Sequence, residues 1–289
     1  MAESQPDGIS VVIPAFNEEG GVGSVIEGVR GALAGSAAPV EILVVDDGST
    51  DRTAARAREA GARVIAHDTN RGYGAAVKTG VRGASHETIV LIDADGTYPP
   101  SAIGALLAEM ASCDMVVAAR RGTDSNIPLA RRPAKWLLNR VAQYLAERPI
   151  PDLNSGLRVF RRADALRFRN LYPNGFSFTS TITLAFLCND LAVRYVPIDY
   201  LPRVGKSKLR PIRDTKNLFL TVLRSILFFN PLRVCLPAAL AFAALAAFVL
   251  AVPRDAQGHV YDGTVMVLAT CAVQVLIVGF LADVIARMR

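Results

Sequence analysis

Two stretches near the C-terminal end of the 289-residue sequence restrict its possible folds more than anything else in it. Residues 234–253 are 20 residues without a charge, and residues 264–282 form a second uncharged run whose strong polar group is Gln274. A helix rises about 1.5 Å per residue, so about 20 apolar residues span the hydrocarbon core of a bilayer. The runs are joined by a polar loop, residues 254–263, and together they predict a transmembrane hairpin with spans at about 234–253 and 264–282. Arg224 and Arg233 precede the first run and Arg287 and Arg289 follow the second, whereas in the loop Arg254 is offset by Asp255 and Asp262. The positive-inside bias then predicts an integral membrane protein with both termini on the cytoplasmic side.

Before residue 210 the pattern is different. Short β-branched apolar runs at 9–13, 41–45, 63–66, 88–92 and 115–119 alternate with helical stretches at 21–33, 53–59, 75–81 and 100–111. Strands spaced by helices predict βαβ units, hence an α/β domain with a mostly parallel sheet and helices on both faces. Ligands in such sheets bind at the carboxyl ends of the strands. Between this domain (1–210) and the hairpin (232–289), residues 211–231 place Ile212, Phe219, Val222, Leu223 and Ile226 at helical spacing. Arg213, Asp214, Lys216 and Arg224 occupy polar positions. That pattern predicts an amphipathic helix in the membrane interface, and docking of the same helix on the α/β domain is compatible with it.

The remaining bulk properties narrow the partners. The net charge of +6 admits nucleic acid, an anionic bilayer or phosphorylated ligands. Residues 203–233 alone carry eight Lys or Arg and one Asp, a net of +7, which leaves −1 for the rest. The excess is therefore local and lies beside the first span. No aromatic and basic residues interleave as in a base-stacking platform, so nucleic acid is not expected. Cys113, Cys188, Cys235 and Cys271 are far apart, which predicts free thiols in a reducing compartment. The first eight residues are polar and predict no cleaved secretory signal.

Acidic residues gather where the strands end. Asp93 and Asp95 follow the run 88–92, and carboxylates at i and i+2 can converge on one hard cation such as Mg²⁺ or Mn²⁺. Asp46 and Asp47 end the second run, with Ser49 and Asp51 suited to turn and helix-capping roles. Two such pairs side by side are costly without a cation or amide donors. Gly20, Gly21 and Gly23 suggest a dinucleotide loop, but the spacing is wrong and Glu18 and Glu19 would repel a pyrophosphate there.

Ile13-Pro14-Ala15-Phe16-Asn17-Glu18-Glu19, Val45-Asp46-Asp47-Gly48-Ser49-Thr50-Asp51, Asn70-Arg71-Gly72-Tyr73-Gly74-Ala75-Ala76 and Asp93-Ala94-Asp95-Gly96 stand in the order and spacing of family 2 glycosyltransferases. Asn154-Ser155-Gly156-Leu157-Arg158-Val159-Phe160 and Arg203-Val204-Gly205-Lys206-Ser207-Lys208 extend the match. More narrowly, the sequence resembles the polyprenyl-phosphate (dolichol-phosphate) hexosyltransferases over about residues 8–233.

The resemblance implies a GT-A fold in which residues 1–210 are a cytoplasmic catalytic domain. It implies inverting, metal-dependent transfer of a hexose from a UDP- or GDP-sugar to a polyprenyl phosphate at the membrane. By matching position, Pro14, Ala15, Glu18, Asp46 and Asp47 would bind the donor. Asp93 and Asp95 would hold Mg²⁺ or Mn²⁺ on the diphosphate, and Arg203, Ser207 and Lys208 would neutralise the leaving nucleoside diphosphate. Contacts to the acceptor phosphate would come from Arg120, Arg131, Lys135 and Ser155. Two positions depart from the family pattern: Lys135 stands where Ser is frequent, and Thr97 where many relatives have Gln.

A lipid phosphate is already anionic and requires cations rather than a base, whereas a hydroxyl acceptor requires a carboxylate base, for which Asp152 is the best candidate. A non-catalytic membrane subunit that binds nucleotide sugar is a further reading, against which the intact Asp93 and Asp95 pair argues. The sugar, the nucleotide and any homo-oligomer are left open by the residues.

Overall fold

The computed structural model describes residues 8–121, 140–201 (except 141, 145 and 176), 231–251 and 262–287. They fall into two compact units, divided at Val222 and Leu223.

In the first unit, β1 (Ile9–Ala15) leads through α1 (Val22–Leu33) to β2 (Val40–Asp46), then α2 (Thr53–Glu59), β3 (Arg63–Ala66), α3 (Tyr73–Gly83) and β4 (Thr88–Leu91). The chain continues with α4 (Ile103–Glu109), β5 (Met115–Arg120), β6 (Arg158–Arg161), α5 (Arg162–Arg167), α6 (Phe178–Leu187) and β7 (Val193–Ile198). The strands form one sheet in the order β3-β2-β1-β4-β6-β5-β7. Pairing is parallel except around β6, which runs antiparallel to both β4 and β5. The expected α/β fold with a mostly parallel sheet is thus present, with β6 and β7 as additional strands.

Every residue of β1 is buried, as a central strand covered on both faces requires. Val11, Ile13, Val44 and Val90 pack with α1 and α4 on one face. Helix α1 presents Val22, Val25, Ile26, Val29 and Leu33, the stripe of a one-sided amphipathic helix. On the other face α3 presses so close that a side chain at Gly80 would meet Val12 and Val45. Burying each such Val, Ile or Leu contributes about 1.5–3 kcal/mol, so the C-terminal ends of β1, β2 and β4 rest on a rigid base. Helix α6 is buried on all sides although it includes Thr179, Ser180, Thr181 and Thr183. The hydroxyls of Thr181 and Thr183 donate to carbonyls one turn back, and that of Ser180 donates to Asn154 Oδ1 at 2.6 Å.

In the second unit, α7 (Leu232–Ala251) and α8 (Asp262–Arg287) pack against each other, with Gly279 against Cys235. Both are long and apolar enough to cross a bilayer. Their outward residues are large and apolar, among them Leu240, Phe248, Met266 and Phe280, each more than half exposed. The segment 211–230, where the amphipathic helix is expected, lies outside the described residues.

Candidate active site

Three loops meet at the carboxyl ends of β1, β2 and β4, where the sheet fold was expected to place a ligand. The parallel register sets Pro14 beside Val45 and Ala15 beside Asp46. The loops after β1 and β2 are stitched by side chains. Ser49 Oγ accepts the Asn17 amide at 2.9 Å, Asn17 Oδ1 accepts the Thr50 amide at 2.8 Å, and Thr53 Oγ1 accepts the Glu18 amide at 2.8 Å. Asn17 takes a positive φ of 50°, a conformation that Asn tolerates better than most side chains. Asp51 accepts the Thr53 amide, as a turn residue does, while Ser49 serves the neighbouring loop rather than a helix cap.

The two acids at the end of β2 are used differently from what their adjacency suggests. Asp46 Oδ1 accepts the Ser49 amide at 3.3 Å. Asp47 turns inward: Oδ2 accepts the Gly72 amide at 2.8 Å, and Oδ1 accepts the Arg71 amide at 3.0 Å. His67 Nδ1 lies 2.7 Å from the same Oδ1, and Nε2 lies 2.9 Å from Thr79 Oγ1. A carboxylate only accepts, so Nδ1–H donates to Asp47, and Nε2 is paired with the Thr79 hydroxyl. Asp47, expected at the donor, therefore anchors the loop after β3.

The anchored loop delivers Tyr73. Gly72 has φ 100° and lies against the Asn174 carbonyl, where a Cβ would collide. The next residue starts α3, and its hydroxyl donates to Asp93 Oδ1 at 2.9 Å. Asp93 sits between this phenol and Gly156, since a Cβ at Gly156 would run into Asp93 Oδ2. Asp95 is 9% exposed, and its Oδ1 accepts both the Thr97 hydroxyl at 2.6 Å and the Thr97 amide at 3.1 Å. Thr97, one of the two departures from the family pattern, thus holds one of the two acids. Burial, and then the nearby Asp95 charge, push the Asp93 carboxyl up to about 6, while the Tyr73 hydrogen bond opposes the rise.

A third layer fixes the turn at Asn154-Ser155-Gly156. The Gly156 amide donates to the Tyr98 hydroxyl oxygen at 2.7 Å. Arg158, fully buried, donates to the Ser155 carbonyl at 2.6 and 3.2 Å, to the Thr179 carbonyl at 3.1 Å and to Thr183 Oγ1 at 3.0 Å. Burial pulls the pKa of its guanidinium down. Ser155, expected at the acceptor phosphate, is itself fully buried and donates to the Leu157 carbonyl.

Arg120 ends β5 and makes a two-point ion pair with Asp152, Nε to Oδ2 at 2.7 Å and Nη2 to Oδ1 at 3.0 Å. Its guanidinium lies 5.2 Å from the Tyr200 ring centre, and Tyr200 meets Tyr98 edge to face. Burial pushes the Asp152 carboxyl up, but the hydrogen bonds and charge of Arg120 outweigh it and hold it below the usual range. Arg131, Lys135, Arg203, Ser207 and Lys208 lie outside the described residues.

Residues 10–168 match the family described as glycosyl transferase family 2, more than half of the chain. The chain belongs to glycosyl transferase family 2. It is 32% identical to a dolichyl-phosphate hexose transferase of Haloferax volcanii over 73% of this chain and 90% of that protein. A low-salt glycan biosynthesis hexosyltransferase of the same organism is 34% identical over 71% of this chain, and the match spans only 51% of that relative. Among solved structures, glucosyl-3-phosphoglycerate synthase of Mycobacterium tuberculosis, in complex with Mn²⁺ and UDP, superposes with a TM-score of 0.60 at 24% identity. The match covers 76% of this chain and 80% of that one. The GT-A fold and the assignment as a glycosyltransferase follow.

Within that family, Tyr73, Tyr98, His67 and Arg158 are the residues whose roles the sequence did not disclose. Tyr73 and Arg158 lie inside recognised motifs, yet nothing in the motifs says that they converge on Asp93 and its supporting turn.

Proposed function

We propose that this glycosyltransferase moves a single hexose from a UDP- or GDP-sugar to a polyprenyl phosphate at the cytoplasmic face of a membrane, with inversion. The catalytic unit precedes residue 210, the segment 211–231 lies in the interface, and α7 and α8 cross the bilayer with both termini cytoplasmic. The apolar, outward residues of α7 and α8 support this placement, as does the dolichyl-phosphate substrate in the name of the Haloferax volcanii relative.

Asp93 and Asp95 fit a divalent ion. Burial, and then the charge of Asp95, raises the Asp93 carboxyl to about 6. A bound cation removes that conflict. Among the described residues no three or more His, Cys, Asp or Glu side chains cluster as a closed metal cage. Two carboxylates suit Mg²⁺ or Mn²⁺ that takes its remaining ligands from a diphosphate and water. When bound, the ion would supply positive charge against the departing diphosphate. Pro14, Ala15, Glu18 and Asp46 line the donor side, and Arg203, Ser207 and Lys208 are assigned to the leaving group.

The observation that carries the acceptor class is the Arg120–Asp152 pair. Asp152 is the carboxylate best suited by sequence to be a base for a hydroxyl, and its depressed pKa makes it a poor proton acceptor. A phosphate oxygen needs no deprotonation. It attacks the anomeric carbon from the face opposite the diphosphate. A carbon–oxygen bond forms as the bond to the diphosphate oxygen breaks, and the electron pair departs with the nucleoside diphosphate. In this reading Asp152 orients Arg120 toward the acceptor phosphate, with Arg131 and Lys135 completing a cationic cradle and Ser155 supporting it from below.

An acceptor scan tests the proposal. Membranes bearing the full-length protein are supplied with labelled UDP- and GDP-hexoses and either polyprenyl phosphate or free-hydroxyl lipids. Label entering the organic phase only with polyprenyl phosphate is expected. Preference for hydroxyl lipids, with activity abolished by Asp152→Asn, would overturn the acceptor assignment, and donor binding without turnover on any acceptor would overturn transfer itself.

A further inference from the structure

A carboxylate at the end of a strand is free to rotate about its last torsion, which is broad and nearly two-fold. For Asp93 and Asp95 to offer oxygens to one small hard ion, both carboxylates must be held in fixed planes, and the structure holds them in different ways. Asp95 is held locally, by the hydroxyl and amide of Thr97 two residues on. Asp93 is held from a distance. Gly156 flanks one oxygen, and the Tyr73 hydroxyl, 20 residues away in sequence, takes the other at 2.9 Å. Tyr73 reaches that point because it begins α3 directly after Gly72. The Gly72 and Arg71 amides are in turn bound by the two oxygens of Asp47, itself bound by His67.

Resting on the reading of Asp93 and Asp95 as the ligands of a divalent ion, we infer that Tyr73 is a positioning residue that sets the Asp93 carboxylate for the cation, and that Asp47 acts on the same carboxylate through Tyr73. The second acidic turn then serves the first one. The hydrogen bonds of Asp47 go to Arg71, Gly72 and His67 rather than to Asp93, so its influence passes through two backbone amides, the start of a helix and one phenol. Tyr73 packs as any aromatic side chain would, and what distinguishes a positioning role from packing is the single hydroxyl, which Tyr73→Phe removes while keeping the ring.

The test uses the full-length protein in detergent and Mn²⁺ alone as probe, with free Mn²⁺ read by its paramagnetic resonance signal. Tyr73→Phe is expected to raise the Kd for Mn²⁺ about 10- to 100-fold, as loss of a group that orients a metal ligand does. The melting temperature of the metal-free protein should stay close to wild type. Asp47→Asn should weaken Mn²⁺ binding to a similar extent, and the double variant should be no worse than Asp47→Asn, because both act on one carboxylate. In transfer assays Tyr73→Phe should lower kcat and leave the KM for acceptor unchanged.

A wild-type Kd in Tyr73→Phe would overturn the inference and leave the metal reading intact. So would additive losses in the double variant, since they would mean that Asp47 acts by another route. Absence of Mn²⁺ binding in the wild type would instead overturn the metal reading, and the inference with it.

Discussion

Asp46 ends β2 and Asp47 follows it, Asp93 and Asp95 follow β4, and the two strands flank β1 in the sheet. In sequence the two turns look alike, each a carboxylate pair after a buried apolar strand. In the fold, Asp47 is surrounded by donors: two backbone amides and the ring of His67. Asp93 has the Tyr73 hydroxyl on one side, the bare Cα of Gly156 on the other, and a second carboxylate close enough to help raise it to about 6. One acid has its charge satisfied by the protein, whereas the other is held in place with its charge opposed. A buried charge satisfied internally stabilises a loop, and one left in conflict marks a place where a ligand supplies what is missing.

That contrast can be broken at several points. The largest effect is expected from Asp95→Ala, which should reduce sugar transfer about 10²- to 10³-fold, the scale of losing one electrostatic contact to a developing charge. The melting temperature should change little, and a variant that transfers normally would contradict the assignment. Gly156→Ala should come next. Its Cβ has no room beside Asp93 Oδ2, so the carboxylate must swing and Mn²⁺ affinity should fall about 10-fold or more. Titration of free Mn²⁺ against the variant measures it.

Asp47→Asn should, besides its weaker Mn²⁺ binding, lose about 2 kcal/mol of stability, because a neutral amide serves the Arg71 and Gly72 amides poorly and turns a donor toward one of them. Denaturant midpoints at neutral pH give the value. The smallest effect concerns an acid far from the site. Burial pushes Glu41 up, but the Ser10 hydroxyl, the Ser85 amide and Arg63 together bring it to about 2, against 4.5 for the free side chain. Its folded pKa is depressed, so its contribution is complete above about pH 4.5 and is lost as pH falls toward 2. Thermal melts between pH 5 and 3 should show a slope in the wild type that Glu41→Gln reduces.

The parallel part of the fold was legible because β1, the second half of β2 and most of β4 are buried, so their sequences carry apolar runs separated by helical periodicity. Strands β6 and β7 were not. Arg158–Arg161 is four residues long with Arg at each end, and Val193–Ile198 is an edge strand containing Arg194 and Pro197, so neither shows an apolar run. At the site, the sequence put Asp93 and Asp95 together by strand alternation, whereas the structure places both beyond the end of β4, with Asp95 in a turn held by Thr97. The inward turn of Asp47 was not legible, because His67, Arg71 and Gly72 decide it from 20 to 25 residues away. The commitment of Asp152 to Arg120, 32 residues apart, was hidden for the same reason.

A second contrast concerns apolar surface. Val11, Val12 and Ile13 of β1 are fully buried by the fold, whereas Leu240, Phe248 and Met266 of α7 and α8 are exposed although equally apolar. The first unit satisfies its hydrophobic residues internally, and the proposed bilayer satisfies those of the second.

The most direct measurement of the difference between the two acidic turns is an anomalous difference map from crystals of the full-length protein grown with Mn²⁺ and UDP or GDP. One strong manganese peak is expected beside Asp93 and Asp95 and none beside Asp46 and Asp47. A peak beside Asp46 and Asp47, or none beside Asp93 and Asp95 with nucleotide bound, would contradict the assignment of the two turns.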